Sequence, residues 1–153
     1  MSEPSTPHAA RLLVEQATSG VLCTAHAEHG GWPFGSIVPY ALSGDLDPIV
    51  WLSDLAEHTR NLRADPRASL FVADAAAAAS PQAGGRACLM ARARVAVGDE
   101  RDAAQAAYFA RFPEAAAMSS MHGFAFHVLA VEHVRWIAGF GAMGWLTRAR
   151  WQG

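Results

Sequence analysis

Short turns between strand-like segments constrain the fold of this chain most. Three segments rich in β-forming residues follow one another in its first third, separated by turns of three or four residues. The segments are Val21–Ala27, Pro33–Leu42 and Ile49–Leu52, and the turns are Glu28–Gly31 and Ser43–Asp45. Strands joined this closely pair antiparallel, because a parallel crossover needs about a dozen residues or more. The chain therefore begins an antiparallel sheet, and the two prolines of the second segment favour an edge position for it.

The remaining patterns predict three more strands and three helices. The further strands are Ala68–Ala73, Arg86–Val97 and Phe124–Ile137, the last with a break near Leu129-Ala130. The helices begin at Thr6-Pro7, at Asp54 (Leu55–Ala64, with a capping box to Glu57) and at Asp99 (Glu100–Arg111). Such a set predicts a mainly β fold, a six-stranded antiparallel Greek-key barrel with flanking helices. We expect a single domain over residues 1–153, with flexible ends at 1–5 and 147–153 and a loop at 74–85.

Composition excludes several classes of protein. Of the 153 residues, 52% are hydrophobic and only 17% charged, and the net charge is −2. These values argue against disorder and against nucleic-acid binding, and no apolar run is long enough for a membrane span. Two cysteines without an export signal indicate reduced thiols in the cytoplasm. Low charge together with five tryptophans indicates an apolar surface that a partner covers.

The most informative segment is IVWLSDLAEHTRNLRADPRASL, residues 49–70. A buried strand ends at Ser53 and a helix follows, so backbone N–H groups and hydroxyls meet where an anion would be favoured. Ser53, His58, Thr59 and Arg60 are the candidate contacts to a phosphate. The alternative is an ordinary capped helix with a solvated polar face.

This segment carries a family resemblance. Together with PFGSIVPYAL before it, it resembles the FMN-binding split-barrel family of pyridoxamine-phosphate oxidase. The resemblance is closest to the haem-utilisation branch, where L-A-x-H-T-x-N-L followed by D-P-R-x-S-L is typical, and VRWIAGFGAMGWL is similar to the G-F-G-x-x-x-W ending of that branch. It covers roughly Ser19 to Leu146, which is most of the chain.

The resemblance implies a homodimer with a flavin groove at its interface and a small-molecule substrate. The implied cofactor-binding residues are Gly35, Ser36, Ile37 and Val38 along the isoalloxazine edge, Ser53 at the phosphate end, His58 and Thr59 at the helix start, and Arg86 and Trp145 from the neighbouring subunit. The Arg-Lys pair that holds the phosphate in the oxidases falls on Glu57-His58 or on His58-Thr59, depending on a one-residue gap. A histidine and a threonine attract a phosphate less than two fixed cations do.

The haem-utilisation branch implies haem as the alternative cofactor. A neutral histidine is the usual proximal ligand of haem iron. The chain has no histidine after His133, where that branch is expected to place its ligand, so His122 and His127 are the candidates, with a hydrogen-bonded core histidine favoured for His127.

Other chemistry finds little support in the sequence. Cys23, His26 and His29 have a metal-like spacing, but Cys23 and His26 point to opposite faces of a strand and a fourth ligand is missing, so we expect no metal site. No residue stands out as an acid, base or nucleophile, which fits a protein whose cofactor does the chemistry. The sequence therefore leaves three hypotheses: an FMN-dependent oxidoreductase, a haem-binding protein, and a non-catalytic split-barrel dimer.

Overall fold

The computed structural model describes residues 6–139 and 142–153, and that part of the chain contains eight strands and four helices. The strands are β1 (Ser19–Ala25), β2 (Pro33–Pro39), β3 (Ala41–Leu42), β4 (Pro48–Ser53), β5 (Arg67–Ala73), β6 (Arg86–Val95), β7 (Phe124–Ile137) and β8 (Met143–Thr147). The helices are α1 (Thr6–Gln16), α2 (Glu57–Ala64), α3 (Gly98–Arg111) and α4 (Arg148–Gln152), and short 3-10 helices lie at Ala75–Ala77 and Pro113–Met118.

One antiparallel sheet contains all eight strands, in the order β2-β1-β5-β6-β7-β4-β3, with β8 also paired to β7. The long strand β7 pairs with β6 along one edge. Its other edge pairs with β4 near Phe124 and with β8 near Ile137. This curled sheet with flanking helices confirms the predicted mainly β barrel, and β2 lies at the sheet edge as its prolines indicate.

The strand count differs from the predicted six for two reasons. The predicted strand Pro33–Leu42 is interrupted at Tyr40, whose buried hydroxyl donates to the carbonyl of Val14 on α1. Its backbone N–H donates to the carbonyl of Thr18 instead of to a strand. The second addition is β8, which pairs with β7 in a part of the chain where no strand was predicted.

The C-terminal residues are ordered by contacts with the turn between β3 and β4, which corrects the flexible end predicted for 147–153. Trp151 of α4 is fully buried, and its indole N–H donates to the carbonyl of Leu46. The Arg148 guanidinium donates to both carboxylate oxygens of buried Asp47, at 2.9 and 3.0 Å. Residues 1–5, predicted as the other flexible end, lie outside the described residues.

Two apolar clusters form the core. The larger lies inside the curled sheet and is closed by α1 and α4, with Leu22, Leu70 and Leu129 among its fully buried side chains. The smaller is aromatic and packs α3 against β4 and β7. Trp51 stacks on Phe126 with ring centroids 5.6 Å apart. The larger cluster buries the inner face of the sheet. The smaller cluster lies on the opposite face of β4 and β7, where α3 covers them, and the rest of that outer face is left to solvent.

A β-bulge interrupts the ladder between β6 and β7. The break predicted near Leu129-Ala130 lies instead at Glu132, where the register shifts opposite Met90 and Ala91. The bulge adds one residue to β7 that has no partner on β6. The alternation of side chains between the two faces of the sheet is therefore shifted by one residue after Glu132. The loop 74–85 before β6 contains a 3-10 turn in which the Asp74 carboxylate accepts from the N–H of Ala76.

Candidate functional site

The start of α2 differs from the predicted capping box. The helix begins at Glu57, and Ala56 at the N-cap makes no side-chain hydrogen bond. The Asp54 carboxylate instead accepts from the Arg63 guanidinium at 2.7 Å. The turn is held by Thr59, whose hydroxyl donates to the carbonyl of Ser53 at 2.6 Å, while the Ser53 hydroxyl accepts from the N–H of Leu55.

Thr59 and His58 therefore have different surroundings, although both were predicted phosphate contacts. Thr59 is fully buried and its hydroxyl is engaged with Ser53. His58 is half-buried, and its Nδ1 lies 3.0 Å from the Ser36 hydroxyl on β2. Burial, and after it the neighbouring His127, lower the pKa of His58. The structure thus brings Ser36 and His58 together as a polar pair with a neutral imidazole.

The outer face of the sheet is defined by two rows of paired residues that run across six strands. The first row is Ile37, Val21, Phe71, Cys88, Arg135 and Trp145. The second row is Gly35, Cys23, Ser69, Met90, His133 and Thr147. Directly paired residues share one face of a sheet. We call these twelve residues the outer face; apolar and sulphur-containing side chains dominate it.

The predicted cofactor-binding residues divide between the two faces. Gly35, Ile37 and Trp145 lie on the outer face, and Arg86 shares it by the strand period of two from Cys88. On β2, Ser36 and Val38 alternate with Gly35 and Ile37, so their side chains point to the inner face. Ser53 and Thr59 lie at the start of α2, with His58 turned toward Ser36. Within one protomer these two groups do not meet, because the sheet separates them.

Two of the predicted residues have defined partners on the outer face. The indole of Trp145 is 57% exposed, and the Arg135 guanidinium lies over its ring, 5.5 Å from the centroid. The Arg86 guanidinium donates to the carbonyl of Pro81 in the 74–85 loop, at 3.0 Å.

A hollow of about 320 Å³ opens on the outer face beside the second row. Cys23, Met90 and His133 line it, and Arg67 and Arg92 stand at its rim. Arg67 pairs with Asp65 and lowers the pKa of that carboxyl to about 2, and Arg92 pairs with Glu132 at 2.9 Å. Burial raises the pKa of the Cys23 thiol, so the thiol stays protonated at neutral pH. The hollow therefore offers sulphur, an imidazole and two guanidinium groups.

His133 was missed as a candidate ligand in the sequence. Its exposed side chain lines the hollow, whereas His127 is buried with its Nδ1 3.2 Å from the carbonyl of Ala125, as the core interpretation predicted. Burial lowers the pKa of His127. His122 is exposed in the turn before β7.

Residues 6–139 and 142–153 contain no group of three or more His, Cys, Asp or Glu residues placed to hold a metal ion. No helix in those ranges is long and apolar enough to cross a membrane.

Comparison with known proteins assigns this barrel to a family. Residues 2–152 match the family model of the CREG beta-barrel. The chain belongs to this family. The solved structure of a haem-binding protein from Mycobacterium smegmatis is similar to this chain. The two superpose with a TM-score of 0.90 at 36% identity, over 99% of this chain and 62% of that one.

Two other relatives extend the comparison of this CREG-family barrel. The chloroplastic non-canonical haem oxygenase HOZ of Arabidopsis thaliana is 32% identical over 105 residues, which are 69% of this chain and 32% of that protein. A pyridoxinephosphate oxidase family protein from Clostridium acetobutylicum shares the fold, with a TM-score of 0.72 at 9% identity over 95% of this chain and 96% of that one. The chain spans about a third of the Arabidopsis protein and less than two thirds of the M. smegmatis chain.

These relatives confirm the predicted resemblance to the pyridoxamine-phosphate oxidase split barrels and to their haem-utilisation branch. Of the GFG ending that contributed to that prediction, Phe140 and Gly141 lie outside the described residues.

Proposed function

We propose that this protein binds haem against the outer face, in a groove that a second copy of the chain completes. The observation that carries the proposal is the hollow beside the second row, where an exposed imidazole, a thioether and two arginines surround apolar strand surface. Haem needs these elements together: an apolar wall for the macrocycle, an axial ligand for iron and cations for the propionates. The haem-binding and haem-oxygenase names of two relatives support the same cofactor.

Each side chain at the hollow has a role in this proposal. His133 would bind the haem iron through its imidazole, since this exposed histidine borders the cavity. Arg67 and Arg92 receive the propionates, because a guanidinium binds a carboxylate through two parallel hydrogen bonds. Their present partners, Asp65 and Glu132, lie at the surface, where ion pairs exchange at small cost.

A second copy is part of the proposal because one protomer leaves the macrocycle half-covered. The hollow of about 320 Å³ is shallow for a tetrapyrrole, and the first row beside it exposes Ile37, Phe71 and Trp145. Exposed apolar patches of this kind mark interaction surfaces. In a twofold pairing of outer faces, Arg86 and Trp145 of one copy would face the groove of the other, as the family resemblance implies.

Flavin is the second candidate, supported by the Ser36–His58 pair. This pair lies beside the start of α2, where the oxidases hold the FMN phosphate by resemblance, and it offers a hydroxyl and a neutral imidazole. The two arginines of α2 are engaged: Arg60 with Glu28 and the carbonyl of Leu55, and Arg63 with Asp54. The donor set fits a phosphate through hydrogen bonds rather than through charge, so we expect weak FMN binding.

Absorbance titration tests both cofactors. Haemin added to the purified protein should give a Soret band that saturates at one haem per protomer. His133→Ala should shift this band and weaken binding by about tenfold or more, whereas His122→Ala, an exposed histidine away from the hollow, serves as the matched control. A wild-type protein without a Soret band would contradict haem binding, and a band that moves with His122→Ala instead would contradict the role of His133.

The same sample decides between FMN and haem, and between an enzyme and a carrier. Quenching of FMN fluorescence that Ser36→Ala weakens would support the flavin candidate. Haem, when bound, supplies the redox chemistry. With ascorbate in air, an enzyme would bleach the Soret band faster than free haemin bleaches, whereas a non-catalytic carrier would preserve it.

A further inference from the structure

The hairpin between β1 and β2 carries a second hollow, separate from the outer face. Its volume is about 620 Å³, roughly twice that of the hollow beside His133. Its lining residues are His26, His29, Gly30, Trp32, Pro33 and Phe34. Phe34 pairs with buried Thr24, so it points away from the face that carries Gly35 and Cys23. This hollow therefore opens on the α2 side of the sheet.

Aromatic rings form the walls of this hollow. The His26 ring lies 4.5 Å from the His29 ring and meets Phe34 edge-on at 5.2 Å, measured between centroids. Trp32 is 75% exposed, although its backbone is fixed by hydrogen bonds to His26 and His29. An indole this exposed, which lines one hollow with three other rings, contributes little to the packing of the barrel core. Its free face is available to a ligand.

The charge around these rings is negative and incompletely balanced. The N–H of Glu28 donates to Nδ1 of His26, which places the ring proton on Nε2, 3.5 Å from the Glu57 carboxylate. His26 therefore meets Glu57 with an N–H group and not with the fixed charge of an arginine. Over residues 6–139 and 142–153, no arginine forms an ion pair with Glu57, and the nearby Arg60 pairs with Glu28.

We propose that this hairpin hollow is a binding site for a small organic cation of the alkylammonium class. The negative faces of aromatic rings attract such cations, most strongly with tryptophan. Trp32 and His29 supply the ring faces, and Glu57 supplies the complementary charge. The site is distinct from the proposed haem hollow, with which it shares only Pro33, because Phe34 lies on the other side of the sheet.

Choline chloride is the probe for this site, and the indole N–H signal of Trp32 in proton NMR is the readout. Trp32→Phe assigns the signal by its loss. We expect choline to shift it saturably in the millimolar range at constant ionic strength. The neutral carbon isostere of choline, dimethylbutanol, should bind about fivefold more weakly or worse, because it lacks the cation–π term.

Two carboxylate variants complete the design. Glu57→Gln keeps a hydrogen-bond acceptor for His26 and should weaken choline binding several-fold. Glu114→Gln removes an exposed carboxylate elsewhere and should leave binding unchanged. Equal affinity for choline and dimethylbutanol, an unchanged affinity in Glu57→Gln, or no shift of the Trp32 signal would each overturn the proposal.

Discussion

Two histidines, half-buried His58 and buried His127, make the stability of this barrel sensitive to mild acid. Burial is the main cause that lowers the pKa of both, and His127 lowers that of His58 and Arg63 that of His127 further. In the unfolded chain both histidines have a pKa of about 6.5. Below that pH the unfolded state binds more protons than the folded state, so the free energy of unfolding decreases as the pH falls. Above that pH the contribution of the two neutral imidazoles to folding stability is fully present.

We therefore expect a lower urea midpoint at pH 5.5 than at pH 7.5. The carboxyl groups of Asp65 and Glu100 have lowered pKa values and titrate below this window, so they do not contribute to the difference. His127→Gln removes one of the two titrating groups and should flatten the dependence. A midpoint that is equal at both pH values would contradict the assignment of neutral buried imidazoles.

Asp47 is the residue whose loss should cost the fold most among the charged side chains. It is buried, accepts two hydrogen bonds from Arg148 and accepts one from the N–H of Val131. Asp47→Asn removes the charge and one acceptor, so we expect a loss of about 2–3 kcal/mol in the free energy of unfolding. Asp45→Asn, at an exposed neighbour, should change it by less than about 0.5 kcal/mol. Chemical denaturation measures both, and equal effects would contradict the role of the ion pair.

At the scale of single elements, the start of α2 offers a direct comparison between the cap predicted from the sequence and the contact that holds it. Thr59→Val keeps the side-chain volume and removes one of the two donors to the Ser53 carbonyl, leaving the N–H of Ala56, so we expect a loss of about 0.5–1.5 kcal/mol. Asp54→Ala removes only an exposed pair with Arg63 and should cost about 0.2–1 kcal/mol. A larger loss of stability in Asp54→Ala than in Thr59→Val, measured by denaturation midpoints, would instead support the capping box predicted from the sequence.

Elements determined by local sequence were predictable, and those determined by distant contacts were not. The β1–β2 turn follows from Gly30 and Gly31, which adopt positive φ values of 61° and 77°. The interruption at Tyr40 depends on a hydroxyl that reaches α1, and β8 depends on pairing with β7. No local pattern encodes either contact.

The candidate site shows the same division. The family resemblance placed Ser36 at the isoalloxazine edge and His58 at the phosphate end of one predicted flavin site, and the structure brings these two side chains to 3.0 Å from each other. His133 was missed because simple alternation from Ala130, which pairs with Arg92, points it inward. The bulge at Glu132 reverses that parity and turns His133 toward the hollow.

At the scale of the whole molecule, the curled sheet buries one face in its own core and leaves the other apolar and open. The chain has few charged side chains that could make this face polar, so the face is expected to bind a partner. The proposed haem groove and the proposed dimer both use this one surface. Disrupting the pairing of outer faces should therefore weaken haem binding as well as assembly.

Ile37 is the residue with which to test this coupling. Its side chain is 78% exposed in the first row of the outer face, so Ile37→Glu adds charge to the proposed interface without disturbing the core of the protomer. We expect light scattering to give twice the 16.3 kDa chain mass for the wild type and the single mass for this variant. Leu55→Glu, at a leucine 84% exposed beside α2, is the matched control and should remain dimeric. A monomeric wild type would contradict the dimer, and a monomeric Ile37→Glu protein with undiminished haem affinity would show that one outer face suffices for the cofactor.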